Sequence, residues 1–144
     1  MNTAGWEPFT RQGWRLEFTY PSVTPQGCEV VRKDERRGSA EGVHLSSPDG
    51  HELYIEFVRF ADLAPRDEYM RHGDYLRQRF GSDSVAGLIE TSVAGRPGWG
   101  YHFRGGDKER SALLLPLAGE LYRIIYEPRS GLNAQVIATI TIVD

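Results

Sequence analysis

The sequence predicts an α+β fold, an antiparallel sheet with one helix in the middle of the chain and one at its end. Short runs alternate between apolar and polar residues at period two, and turns rich in glycine, proline and aspartate separate these runs. Two other segments have apolar residues at helical spacing. Because short connections between strands imply antiparallel pairing, these elements add up to a layered α+β domain.

The first third of the chain predicts two strands. Residues 15–20 alternate at period two and stop at Pro21, which indicates a strand, and residues 6–9 are expected to pair before it. A second strand is expected around residues 28–32. Residues 33–39 combine charges of both signs with a glycine, which predicts a solvated loop.

A hairpin follows, with its turn at Pro48-Asp49-Gly50 between residues 42–46 and residues 52–60. A five-residue loop sets the register, and this register decides which side chains share a face. The core face is predicted to hold Val43, Leu45, Leu53, Ile55 and Phe57.

The second half of the chain predicts two helices and four strands. Pro65 begins a helix that runs to about Phe80, and the last helix, capped by Ser130, runs to about Thr141. Residues 139–143 also alternate, so a strand is the competing prediction there. The four strands are expected at residues 88–93, 99–104, 110–117 and 121–126, with residues 95–98 as one of their links.

Composition limits the class of protein. With 144 residues, 40% apolar and 26% charged, the chain is expected to be one domain over residues 1–144, with residues 1–14 as an N-terminal extension or edge segment. The 17 basic and 20 acidic residues give a net charge of −3, which opposes binding to a nucleic acid backbone. Cys28 is the single cysteine, so no internal disulfide forms.

The sequence contains no apolar run of membrane-spanning length, which predicts a soluble protein without a membrane span. A complete chain would be cytoplasmic, whereas a chain that has lost a signal segment would belong to the cell envelope.

Four segments resemble the PsbP-like family, named for an extrinsic subunit of photosystem II. They are Phe18-Thr19-Tyr20-Pro21, Leu45-Ser46-Ser47-Pro48-Asp49-Gly50, Ala94-Gly95-Arg96-Pro97-Gly98, and the strand, turn and helix of residues 119–140. The resemblance implies an α/β/α sandwich with a central antiparallel sheet between helices. It also implies a bacterial binding module, since family members share a binding surface and no catalytic constellation. Many relatives have a Trp soon after Tyr-Pro, and this chain has none there.

One candidate metal site follows from the hairpin register. His44 falls on the face opposite the core, and Glu52 and Glu56 lie diagonal to it on the neighbouring strand. Imidazole and carboxylate groups are zinc ligands, so these three residues are a candidate metal set. A polar face under a helix or in solvent is the competing interpretation.

Aromatic residues supply the candidate binding surfaces. Trp99, Tyr101 and Phe103 share one strand face, where they line a ligand groove or belong to the core. Trp6 and Trp14 either cap the sheet edge or belong to a partner surface.

The sequence predicts a non-catalytic protein. It has no Gly-x-Ser-x-Gly elbow, and its glycine pairs join strands rather than open helices, so it lacks a hydrolase elbow and a phosphate loop. No cofactor is predicted. The expected function is to hold a protein or small ligand on the sheet face, as a monomer or homodimer with a protein as the expected partner. An adaptor chaperone for a secreted effector and a metal-binding protein are the alternatives.

Overall fold

The computed structural model describes residues 5–37, 40–59, 87–105, 108–117 and 119–143. Ten strands and one helix lie in these ranges. They are β1 (Glu7–Phe9), β2 (Leu16–Tyr20), β3 (Val31–Arg37), β4 (Ala40–Ser46), β5 (Glu52–Arg59), β6 (Ile89–Val93), β7 (Arg96–Gly105), β8 (Lys108–Leu117), β9 (Glu120–Tyr126), α1 (Gly131–Ala138) and β10 (Thr141–Ile142).

Seven strands form one antiparallel sheet in the order β3-β4-β5-β9-β8-β7-β6. The predicted β4–β5 hairpin is confirmed together with its register, because Leu45 pairs with Leu53 and Val43 pairs with Ile55. Strand β9 then inserts between β5 and β8, so the hairpin and the later strands belong to one sheet.

A smaller sheet, in the order β1-β2-β10, lies with α1 against one face of the large sheet. The expected pairing of residues 6–9 with the first strand is confirmed, because β1 pairs antiparallel with β2. The main core between the two layers includes residues from both sheets and from the helix, among them Phe9, Leu16, Phe18, Val43, Ile55, Phe57, Tyr122, Ile124 and Val136.

The centre of the large sheet is buried on its other face as well. Strand neighbours point to opposite faces, and three neighbouring pairs are each fully or almost fully buried: Phe57 with Val58, Leu114 with Leu115, and Leu121 with Tyr122. One member of each pair belongs to the main core and the other to a second apolar cluster. The central strands are therefore apolar on both sides.

The predicted last helix is too long. It ends at Ala138, and residues 141–142 form β10, which pairs with β2. Thr139 causes the change, because its Oγ1 accepts the Thr19 N–H at 2.9 Å and donates to the Val136 carbonyl at 2.6 Å. The C-cap is thus anchored to β2, and the chain continues as a strand, which was the competing prediction.

The loop predicted over residues 33–39 is wrong for residues 33–37. These residues belong to β3, where Lys33 pairs with His44 and Arg37 pairs with Ala40. A strand at the edge of a sheet pairs through its backbone while its side chains remain in water, so charged residues are compatible with it and discourage pairing with other chains.

The structure corrects two further predictions. The link predicted at residues 95–98 is a tighter turn at Ala94 and Gly95, whose φ angles of 52° and 77° suit a two-residue hairpin between the paired residues Val93 and Arg96. The described residues do not form the predicted α/β/α sandwich. They contain one short helix, α1, which lies with the small sheet on the same face of the large sheet. The helix predicted from Pro65 to Phe80 lies outside the described residues.

The N-terminal segment is attached to the core through Tyr122. This side chain is fully buried, and its hydroxyl oxygen accepts the Arg15 N–H at 2.8 Å. Burial raises the pKa of Tyr122 from 10.0 to about 12, because the phenolate would lose its hydration. Arg15 also pairs with Glu120 at 3.3 Å.

Gly98 is required where β7 passes close to β8. A Cβ at this position would lie 2.6 Å from the Leu114 carbonyl oxygen, and backbone cannot move aside cheaply. Gly98→Ala is expected to lower the free energy of unfolding by about 1–3 kcal/mol in urea denaturation. Gly100→Ala is the matched control, because its nearest contact would be an ordinary 3.5 Å. Equal stabilities of the two variants would contradict this close approach.

Tyr122→Phe leaves the partly buried Arg15 N–H without its acceptor. We expect a loss of about 1–2 kcal/mol in the free energy of unfolding at neutral pH. Since the folded protein favours the neutral phenol, the stabilisation from Tyr122 is complete below about pH 10 and is lost as the pH rises towards 12. Urea denaturation at neutral and alkaline pH measures both effects.

The wild-type protein should therefore lose its advantage over Tyr122→Phe as the pH increases. Tyr126→Phe, at a half-buried position on the same strand, is the control for removing a hydroxyl. A stability difference between wild type and Tyr122→Phe that stays constant across this pH range would show that the pKa of Tyr122 is the same in the folded and the unfolded protein.

Candidate functional site

The aromatic stripe of β7 is packed into the second apolar cluster. Tyr101 is 4% exposed, and Trp99 and Phe103 are half-buried against the same cluster. Its buried members also include Val58, Ala112, Leu114 and Leu121. Of the two interpretations of this stripe, the contacts favour core packing, because its central ring is not accessible to a ligand.

The two N-terminal tryptophans lie at the main core. Trp14 is 7% exposed, and its ring centroid lies 5.7 Å from that of Phe57 and 5.8 Å from that of Tyr122. Trp6 is half-buried against the same core. The buried ring of Trp14 cannot offer a partner surface, so of these two residues only Trp6 is partly accessible.

His44, Glu52 and Glu56 share one sheet face, as their register predicts, but each glutamate has an arginine partner. His44 Nε2 lies 3.4 Å from Glu52 Oε1, while Glu52 Oε2 accepts from Arg110 at 2.7 Å. Glu56 pairs with Arg123 at 3.3 Å. Within the ranges that the structure describes, no three His, Cys, Asp or Glu side chains are grouped to hold a metal ion.

A different site, which we call the polar cleft, lies at the end of the large sheet. It has a volume of about 560 Å³ and lies between the β4–β5 turn, the β7–β8 hairpin and the start of α1. The described residues that line it are Asp49, Gly50, His51, Arg104, Lys108, Glu109, Arg110, Glu127, Arg129 and Ser130. Charged and polar side chains therefore dominate this cleft.

Arg110 fixes the floor of the cleft. Its guanidinium donates to Glu52 at 2.7 Å and to Glu127 at 3.1 Å, with only 16% of the Arg110 side chain exposed. Asn133 in α1 donates to the Glu52 carbonyl oxygen at 2.8 Å. These bonds join β5, β8, the turn that follows β9 and the helix, so four parts of the chain hold the floor in one arrangement.

A chain of polar contacts forms one side of the cleft. Thr24 Oγ1 donates to Asp49 Oδ2 at 2.8 Å, His51 Nε2 lies 3.6 Å from the same oxygen, and His51 Nδ1 lies 2.6 Å from Ser130 Oγ. Ser130 Oγ already accepts the Asn133 N–H as the helix cap. His51 Nδ1 and Ser130 Oγ are thus within hydrogen-bond distance, and the tautomer of the histidine decides which of the two atoms donates.

Asp49 stays ionised at this site. A hydrogen bond from Ser47 lowers the pKa of Asp49, with further contributions from Thr24, the Asp49 backbone and His51. Because the folded form favours the carboxylate, the contacts of Asp49 persist at neutral pH and weaken only as the pH falls through that lowered pKa.

The order Asp49, His51, Ser130 resembles that of a hydrolytic triad, but the geometry serves a helix cap. Ser130 is 8% exposed, and its oxygen is occupied by the Asn133 N–H. The distance of 3.6 Å between Asp49 and His51 exceeds that of a hydrogen bond. A nucleophile needs an exposed oxygen, and the Ser130 oxygen is buried and occupied by the helix cap.

A second cleft of about 440 Å³ adjoins the first and shares Arg104, Glu109 and Arg129 with it. His102 lines this cleft, with its Nδ1 2.7 Å from Ser111 Oγ. Ser111 lies directly opposite His102 on β8.

Sequence reasoning did not identify the polar cleft. Its local signals were visible, since Asp49 and His51 flank a glycine turn and Ser130 is a recognisable cap. The contact between His51 and Ser130 joins residues 79 apart, and that between Arg110 and Glu52 joins residues 58 apart. Such pairs depend on the order of strands in the sheet, which the local pattern does not specify.

Comparison with known proteins adds information about the fold. No protein-family model matches the chain, and no curated protein matches it in sequence. No helix in the described ranges has the length and apolar composition of a membrane span. The chain is similar to the solution structure of cyanobacterial PsbP (CyanoP) from Synechocystis sp. PCC 6803, with a TM-score of 0.59, 13% identity, and coverage of 98% of this chain and 94% of that chain. The protein therefore has a PsbP-like fold, as the sequence resemblance predicted.

Proposed function

We propose that the protein is a non-catalytic binding module that holds a small ligand in the polar cleft. The observation that supports this best is the floor around Arg110, where two ion pairs and a hydrogen bond from the Asn133 amide join β5, β8, the turn after β9 and α1. A cleft of about 560 Å³ above a fixed polar floor is within the size range of small-molecule sites. Preorganisation of this kind lowers the entropic cost of binding.

The cleft is a better ligand site than the aromatic face. Tyr101 and its neighbours are buried, so a ligand would have to displace packed apolar side chains there. In the cleft, Arg104 and Glu109 have side chains that are 69% and 57% exposed. These side chains can reach a ligand without any change in the core.

A protein partner is the broader alternative, and the adaptor chaperone is its specific form. A chaperone of this kind would be a dimer or would offer a wide apolar groove. Among the described residues the exposed large hydrophobic side chains are Val23, Val31, Ile89 and Val143, which lie on four separate segments. Light scattering coupled to size-exclusion chromatography tests this alternative, and a stable dimer would favour it.

Filling the cleft is expected to abolish ligand binding. Glu109→Trp places an indole at the cleft, and Glu90→Trp places the same group at an exposed position of β6, outside the cleft lining. A library of small polar metabolites is added to ¹⁵N-labelled protein, and amide shifts are mapped. We expect shifts at Asp49, His51 and Ser130 in the wild type and in Glu90→Trp but not in Glu109→Trp. Shifts that avoid the cleft in every case would contradict the proposed site.

The proposal also predicts that Ser130 has a structural role only. Ser130→Ala removes the cap of α1 and should lower the free energy of unfolding by about 1 kcal/mol. Hydrolysis of p-nitrophenyl esters should stay at the background rate in the wild type, in Ser130→Ala and in His51→Ala. Hydrolysis by the wild type that both substitutions abolish would contradict a non-catalytic role.

A further inference from the structure

Positive charge gathers at the polar cleft although the chain as a whole is acidic. Among the described residues that line it, four are cationic, namely Arg104, Lys108, Arg110 and Arg129, and three are carboxylates. The whole chain has 17 basic and 20 acidic residues. The lining of the cleft is therefore richer in cations than the chain as a whole.

The carboxylates of the cleft already have partners. Asp49 accepts from Thr24 and faces His51, while Glu127 accepts from Arg110 and from the Arg129 backbone N–H. Glu109 lies 4.0 Å from Arg104, and both side chains are mostly exposed, so this pair is weak. These contacts leave little negative charge to neutralise further cations.

Lys108 and Arg129 remain available. Within the described ranges, neither side chain has a carboxylate within ion-pair distance, and both are exposed at the cleft. Together with the weakly paired Arg104, they offer three exposed cationic groups beside a floor in which Arg110 already has two carboxylate partners. A ligand with several negative charges would supply the missing partners.

We infer that the cleft binds a small, multiply charged anion such as a pyrophosphate or a tricarboxylate; this inference rests on the cleft being the ligand site. A guanidinium donates two parallel hydrogen bonds to phosphate or carboxylate oxygens, and the lysine ammonium adds a point charge. The volume of about 560 Å³ admits a compact ligand. The net charge of −3 and the acidic residues around the cleft disfavour an extended polyanion such as nucleic acid.

The test is a titration of the full chain with sodium pyrophosphate at constant ionic strength. Binding is measured by calorimetry and by the shifts of amide resonances. The double variant Lys108→Gln/Arg129→Gln removes both available cations. The matched control is Lys33→Gln/Arg36→Gln, which removes the same two types of side chain from exposed positions on β3. This edge strand is separated from β8 by β4, β5 and β9. All four positions are exposed, and an unchanged melting temperature shows that each variant is folded.

The inference predicts that pyrophosphate shifts the amides of the cleft, that the Lys108/Arg129 double variant loses about tenfold or more in affinity, and that the control stays within about twofold of the wild type. Added sodium chloride should weaken binding, and citrate should compete with pyrophosphate. An equal loss in both double variants would overturn the inference, because it would show diffuse attraction to surface charge.

A neutral compound separates failure of this inference from failure of the proposed function. If glucose or another uncharged metabolite shifts the cleft amides and pyrophosphate does not, the cleft is a ligand site but the anionic class is wrong. If neither the metabolite library nor pyrophosphate shifts them, both the site and the inference are wrong.

Discussion

The structure depends on a sheet whose central strands are buried on both faces. Adjacent residues such as Leu121 and Tyr122 point to opposite sides, and both are almost completely buried. Full burial of a large apolar side chain contributes about 1.5–3 kcal/mol, so these strands supply much of the stabilisation on each side. Polar side chains are excluded from the middle of such a sheet unless they are paired. Within β5 and β9, the mid-strand charges of Glu56 and Arg123 accordingly pair with each other, whereas Glu52 and Arg110 pair nearer the strand ends.

This distribution explains why the polar cleft forms where it does. At the end of β9 the chain leaves the sheet and begins α1, so backbone groups there need partners outside the strand ladder. Asn133 supplies one by donating to the carbonyl oxygen of Glu127 at 3.3 Å, and Ser130 caps the helix. Once these groups are satisfied, Arg110 completes the floor with two carboxylates. The binding site that we propose thus develops from the same contacts that end the sheet and start the helix.

The burial of both sheet faces also changes the roles of the residues that the sequence indicated as candidate binding surfaces. Trp14 and Tyr101 are large apolar rings, and both are buried, one in each apolar cluster. A ring on a strand face of a small domain contributes more to stability when packed than when held open for a ligand. Glu56 lies on the same face as His44, yet an arginine on the neighbouring strand pairs with it. The hairpin register identified the face on which Glu56 lies, and the neighbouring strand determined its ion-pair partner.

The sequence by itself determined the local elements. Period-two alternation and turn residues predicted nearly every strand and the exact β4–β5 register, and the cap at Ser130 predicted the start of α1, because these depend on neighbours a few residues apart. The tertiary structure alone decided that residues 33–37 pair as an edge strand and that α1 stops at Ala138. It also brought His51 to Ser130, across 79 residues. These outcomes depend on which strands become neighbours, and that choice follows from burying both sheet faces at once rather than from any local pattern.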